Sequence, residues 1–439
     1  MKKKITDLLK QIGTYLGPRL NDKAVISVFL IVTAWNVALS SDFGRQHFLT
    51  LQLKFYDSLW SWKRKPRYDS TVTLVRIDDS QHWAQGRCDS PTSRHLLAQL
   101  IRNASQPSHK AAVIALDVQL YAPVGKSAGW HNSEREDEED ELLKSIHDSA
   151  RAGVAVIVPV GFVMEENGDL LRIPNIYTDE QLPLADVKGA CGYPACAVLG
   201  SIKLPVDKRQ IPLQETARDW YAGSQLRQFP SFALAAADAK SRAHVQPSSK
   251  PPIAQAIKDH GELFGGFLPE SAFTKHEISA QQLLSADPSA MWKCDGNLLL
   301  IGGEWHSDQG YGPLEDLHLS PVGEIPGLVL HANYMEALLG DHFTKPVSVV
   351  LAIVIDLFVG LALYVAFDWV KEWPGLLRLL GQLLVLSLIT IPILVAYFSF
   401  VNLDKYFDFL PPIGLYFVHL LYEHLKEYVR LVRARLGAH

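Results

Sequence analysis

Apolar positions cluster in long uncharged runs at the two ends of the chain, and a different pattern fills the middle. Ala24 to Ser40 carries no charge, Pro346 to Phe367 carries only Asp356, and Leu379 to Val401 is again uncharged. Each approaches the roughly 20 apolar residues that a helix needs to cross about 30 Å of hydrocarbon, so each is expected to be a transmembrane helix. A fourth run, Phe409 to Tyr422, is shorter. Pro411 and Pro412 can start a helix there that continues into the tail, the alternative being a helix lying in the membrane interface. The expected division is a cytoplasmic N-terminus at 1–23, a span at 24–40, a large domain at 41–345, three further spans within 346–425, and an amphipathic tail at 426–439. Between the anchors, short β-branched runs alternate with amphipathic stretches. Thr71 to Ile77, Ala112 to Leu116, Val154 to Val160 and Asn297 to Ile301 read as strands. The near-continuous apolar character of the last three suits strands covered on both faces. Ser93 to Arg102, Glu134 to Arg151, Phe232 to Ala243, Ser279 to Leu284 and His331 to Leu339 read as helices. The expected fold is an α/β extracytoplasmic domain with a mostly parallel or mixed sheet, joined to a transmembrane helix bundle.

Charge sets the orientation. Lys2, Lys3, Lys4, Lys10, Arg19 and Lys23 precede the first run, Lys371 and Arg378 lie between the second and third, and Lys426, Arg430, Arg433 and Arg435 follow the fourth. Lys and Arg flanks stay on the cytoplasmic side, so four spans leave both termini inside and the domain outside, periplasmic if the membrane is a bacterial inner membrane. Ala38, Leu39 and Ser40 resemble a signal-peptide cleavage site, but the long charged segment before the run favours an uncleaved anchor. Net charge is only −5 and no basic stripe suited to nucleic acid is present, so the partner implied by composition is the lipid bilayer.

All four cysteines, Cys88, Cys191, Cys196 and Cys294, fall in the segment placed outside. An even count in an oxidising compartment suggests disulfides. The Gly-Tyr-Pro turn between Cys191 and Cys196 favours that pair, which leaves Cys88 with Cys294. Zinc is the rival, but no histidine stands at ligand spacing from Cys191 and Cys196, and no metal or other cofactor is expected. The acidic block from Glu134 to Glu141 follows Ser133 and reads as a capped helix start rather than a calcium loop.

Several strings, taken in order, carry a resemblance. They are FYDSLW (Phe55 to Trp60), IDD (Ile77 to Asp79), SPTSRHLLAQLI, ALDVQLYAP with Asp117 at the strand end, and DKRQIPL (Asp207 to Leu213). FPSFALAAA, HEISAQQLL, NLLLIGGEWHSDQG and IPGLVLHANYMEALL follow. Their order, with the membrane frame around them, resembles the second class of the cyclase/histidine-kinase-associated sensory extracellular domains, the CHASE family. The resemblance covers nearly the whole chain. It implies a sensory domain outside the membrane, and a turn at DKRQIPL leading into a paired strand. Members of that family usually run on into a catalytic output after the last span, whereas the sequence stops at His439. No phosphate-binding loop or kinase lysine motif appears in the expected cytoplasmic parts, so output is expected from a separate protein partner, with a homo-oligomer as a further option.

Asp78, Asp79 and Asp117 fall at expected C-terminal strand ends, the edge where open α/β sheets bind ligands. His306 and Asp308 follow the NLLLI strand and His331 opens the last helix, so the six are the candidate ligand set. The plainer alternative makes Asp78 and Asp117 caps or loop clamps and His331 a packed helix residue, and it is favoured because strand-end placement is only a positional argument for a site. No GxSxG, HExxH or comparable arrangement is present, and no enzymatic activity is expected. Asp356, inside the second run, reads as a polar clamp toward Gln382 or His419. Leu421, Leu425, Tyr428, Val429, Val432 and Leu436 share one face of the tail helix, which suits either anionic lipid or a helical partner. The expected function is a membrane-anchored sensory subunit, the alternative a structural or scaffold subunit of a membrane complex.

Overall fold

The fold was taken from a computed structural model. It describes residues 70–83, 92–120, 136–166, 168–185, 190–205, 208–219, 225–243, 264–265, 267–268, 270–307 and 313–340. Outside that stretch it describes 55–56, 343–347, scattered residues between 351 and 381, 390–403, 405–406, 428, 429 and 432. The chain divides into two compact units, one of residues 65–343 and one of residues 1–64 with 344–439.

In the first unit the elements run β1 (Val72–Ile77), α1 (Asp79–His82), α2 (Arg94–Ala104), β2 (Val113–Asp117), α3 (Glu136–Arg151), β3 (Ala155–Val160), β4 (Phe162–Met164), β5 (Leu170–Arg172) and β6 (Val198–Ser201). They continue through β7 (Gln214–Arg218), β8 (Leu226–Pro230), α4 (Phe232–Ala243), β9 (Glu277–Ser279), α5 (Ala280–Leu284), α6 (Pro288–Cys294), β10 (Leu298–Gly303), β11 (Leu317–Ser320), β12 (Gly323–Pro326) and α7 (Gly327–Leu339). Six strands form one sheet in the order β9-β1-β10-β2-β3-β6, every pair parallel. A second, four-stranded sheet runs β4-β5-β7-β8, and β11 pairs with β12 as a hairpin.

The apolar runs become strands with two buried faces. Val75, Ile77, Ile114, Leu116, Leu299 and Ile301 pack under α2, α3, α5 and α6, while Val72, Leu74, Val113, Ala115, Leu298 and Leu300 pack under α4 and α7. At about 1.5–3 kcal/mol for each large apolar side chain removed from water, these two layers dominate the stability of the unit. Local signals set the helix starts. The Ser93 hydroxyl caps α2, and Ser279 with Gln282 forms a capping box on α5. α7 begins at Gly327, four residues before the expected start at His331, because Pro326 sits at its N-cap rather than in a free turn. The acidic start of α3 docks on its neighbour: Glu138 accepts from the Ser93 hydroxyl and the Arg94 N–H, each at 3.2 Å, and Glu141 pairs with His95 and Arg102. Ser133 lies outside the described residues, so the expected cap from that residue does too.

α7 is buried along 12 of its 13 residues. Near its C-terminal end, Glu336 reaches back to the start of β1. Its Oε1 accepts from the Ser70 hydroxyl at 2.5 Å, the Thr71 N–H at 2.5 Å and the Val72 N–H at 2.7 Å. The two edges of the chain within this unit are thereby clasped. In the second sheet, Arg172 is fully buried and is held by Asp179 and Asp219, which also bind Arg227, and both guanidinium groups lie over the Phe229 ring. The opposite charges face one another, which offsets part of the penalty of burying either alone.

In the other unit, Lys345 and Pro346 pair in parallel with Lys405 and Tyr406 after the helix Thr390–Leu403, and the Tyr56 ring packs on Phe400 and Tyr406. The helix Thr390–Leu403 covers part of the third expected span. The first and fourth expected spans, Asp356 and most of the second span lie outside the described residues. Among the described residues, no helix is long and apolar enough to cross a membrane.

Replacing Glu336 by Ala removes the side-chain acceptor of the Thr71 N–H and leaves the Val72 N–H and the Ser70 hydroxyl with only their local bonds, Val72 N–H to Ser70 Oγ and the hydroxyl to the Val72 carbonyl. We expect a loss of about 2–4 kcal/mol, read as a fall of roughly 5–10 °C in the melting temperature of the full-length protein.

Candidate functional site

The sheet order creates a crevice. β10 lies between β1 and β2, but its chain continues into α7 on one face, whereas the chains leaving β1 and β2 enter α2 and α3 on the other. Helices that depart to opposite faces diverge at the C-terminal strand ends between them, the position where open α/β sheets take ligands. The edge is formed by Asp78 after β1, Gly302 and Gly303 of β10, and Asp117 of β2, with Gly302 in register with Asp117.

The first half of this edge is locked by its own hydrogen bonds. Asp78 caps α1, accepting from Ser80 and Gln81 while the Gln81 side chain returns a bond to its N–H. Asp79 accepts from the His306 N–H and from His306 Nδ1, both at 2.8 Å, and so pins the loop after β10 onto α1. Burial raises the Asp79 pKa, but the hydrogen bonds from His306 outweigh it and hold the carboxyl below its ordinary value. The His82 ring stacks on Trp305 with centroids 3.8 Å apart, and burial pushes its pKa down.

The second half has the opposite character. Asp117 Oδ1 stands 3.9 Å from His331 Nε2, too far for a hydrogen bond. Among the described residues the Asp117 side chain has no hydrogen-bond partner, although only 14% of it is exposed. His331 is almost wholly buried, and its Nδ1 is also without a partner. Burial, reinforced by the nearby Asp316 carboxylate and opposed by His318, pushes the Asp117 pKa up to about 7. Burial likewise lowers His331 to about 4, with Asp316 opposing and His318 and Lys208 adding to the drop. At neutral pH the imidazole is therefore uncharged. Asp316 is presented by the segment before the β11–β12 hairpin with a left-handed backbone, φ 59°. Its carbonyl accepts from the Gly327 N–H at 2.8 Å, and its carboxylate lies where a Cβ on Gly327 would be. Gly302 is needed for a similar reason, since a Cβ there would stand 2.5 Å from Leu328 Cδ1 and 3.1 Å from Asp117 Cβ.

Residues 26–366, more than half of the chain, match the CHASE2 domain family. The chain belongs to the CHASE2 family. CHASE2 domains are sensory domains of the extracellular or periplasmic side, which agrees with the resemblance read from the strings above. No curated protein and no solved structure matches the chain.

Of the six sequence candidates in this CHASE2 domain, Asp79 and His306 are brought together, Asp117 and His331 are brought together, and Asp78 is a cap. Asp308 lies outside the described residues. Asp316, His318 and Lys208 were not singled out from sequence, and the visible sign of their site was the glycine pair at the end of β10. Among the described residues, no group of three His, Cys, Asp or Glu side chains is arranged to hold a metal ion. Cys191 and Cys196 form the expected disulfide, with Cα atoms 5.7 Å apart. Cys294 does not follow the expected pairing. It is a free thiol, wholly buried where α6 packs into the core, and burial pushes its pKa up to about 12. Its expected partner, Cys88, lies outside the described residues.

The pKa shifts predict an opposed pH dependence. Because folding raises the Asp117 value, its stabilising contribution is complete below about 4 and is lost as pH rises toward about 7. Folding lowers the His331 value, so that contribution is lost as pH falls from 6.5 toward about 4. Asp117→Asn removes only the first slope, leaving Asp316, His318, Lys208 and His331 in place. The variant should match the wild type near pH 4 and exceed it at pH 8, by on the order of a few kcal/mol, in melting curves recorded across that range.

Proposed function

We propose that this CHASE2 protein is a membrane-anchored sensory subunit that takes a small polar ligand at the crevice between Asp117 and His331. The observation that carries the reading is a carboxylate and an imidazole that face each other 3.9 Å apart, beyond hydrogen-bonding distance, at the C-terminal strand edge where open α/β sheets take ligands. α7 supplies a route for the signal. His331 is in its first half and Glu336 in its second, about 7.5 Å further along the axis at 1.5 Å per residue. Glu336 grips the backbone at Ser70 to Val72, next to the boundary near residue 64 where the chain passes into this unit. A ligand that shifts α7 would therefore be felt at that boundary. Exposed Tyr428, Val429 and Val432 in the expected cytoplasmic tail offer an apolar face for a separate output partner.

Thermal-shift screening of the full-length protein against small polar metabolites tests the site. At 100 times its Kd a ligand stabilises the protein by about 2.7 kcal/mol, and this gain should vanish in Asp117→Asn. Binding that survives that substitution would remove the crevice from consideration, and a screen without any saturable binder would favour a scaffold subunit. The four-span arrangement in a bacterial inner membrane is tested separately. A reporter fused at His439 should be active only in the cytoplasm, and activity outside would require an odd number of spans.

A further inference from the structure

We propose that the ligand of this crevice presents a primary ammonium group to Asp117 and His331. The inference rests on the reading of the crevice as the ligand site and adds the chemical class. Asp117 offers only acceptor oxygens when ionised, and no donor among the described residues reaches them. His331, neutral in the interior, accepts at Nε2, the ring nitrogen that faces Asp117, in the tautomer that carries its proton on Nδ1. The nearby Lys208 and His318 side chains already have partners. Lys208 Nζ donates to the Pro205 carbonyl at 3.0 Å, and His318 Nε2 lies 2.7 Å from Asp316 Oδ1. Asp316 adds a second carboxylate whose charge acts on Asp117. A partner that keeps Asp117 ionised at neutral pH and also serves the imidazole acceptor brings positive charge and at least two donors.

The spacing fits one ammonium nitrogen. With Oδ1 and Nε2 3.9 Å apart, an atom about 2.8 Å from both sees them roughly 90° apart, within reach of two N–H bonds of a tetrahedral ammonium. A planar guanidinium would direct its parallel donors at two oxygens of one carboxylate instead. A metal ion would want a third protein ligand, and no such trio is formed among the described residues.

The test uses the full-length protein and five probes at matched ionic strength. Ethanolamine, glycine and putrescine carry the ammonium, while ethylene glycol and glycolate do not. The expected result is saturable thermal stabilisation by the amine probes alone, with half-saturation at least tenfold weaker in Asp117→Asn, an isosteric change that keeps the fold. Equal, Asp117-dependent stabilisation by ethylene glycol would overturn the ammonium class while keeping the site. Stabilisation by amines that is unchanged in Asp117→Asn would overturn both. The absence of any amine effect on the wild type would overturn the proposal and leave a bound water as the occupant of the gap.

Discussion

The insertion of β10 between β1 and β2 is the constraint on which the rest of this domain depends. Until the last strand of the sheet is in place, β1 and β2 have no strand to bridge them, and the apolar faces of both lack the residues that join them into a layer. Once it is in place, Leu298 and Leu300 complete one layer and Leu299 and Ile301 the other. The same insertion sends the following chain to the opposite face and so opens the crevice. Fold and site have one cause, and the pairing is long-range, since Val72 must find Leu298. Contacts of such sequence separation carry a large loop-closure cost and slow folding.

Much of this was legible in the sequence because the central strands advertise themselves. Runs such as Val113 to Leu116 and Leu298 to Ile301 are apolar at every position, which only a doubly covered strand or a buried helix tolerates, and their shortness decides for the strand. Ser93 and Ser279 marked helix starts for a local reason that tertiary structure did not override. The second sheet was far less visible. β7, Gln214–Arg218, and β8, Leu226–Pro230, are short and mostly polar, and they are held partly by the charge cluster around Arg172 rather than by an apolar pattern. The three-residue edge strand β9 is too short to carry a period.

The site was half legible for a similar reason. Asp117 and His331 could be singled out by position along an element, at a strand end and near a helix start. Asp316, His318 and Lys208 belong to a hairpin and a loop whose placement depends on tertiary packing, and nothing in their local sequence says which strand end they approach. Position alone did not divide roles, although the cap favoured for Asp78 is the one it forms. Asp78 and Asp79 share the strand-end address of Asp117, yet nearby donors consume both, and only the partner inventory separates a clamp from an open acceptor.

The clasp at Glu336 bears on how this domain responds to force. Ser70 and Glu336 stand near the two ends of the unit, and three hydrogen bonds converge there on one carboxylate oxygen. Tension drawing those ends apart would load these bonds together with the start of β1, since Val72 is both clasped and paired with Leu298. The clasp thus ties the first strand of the unit to its last helix, so that a pull on either end of this stretch of chain is carried into both elements.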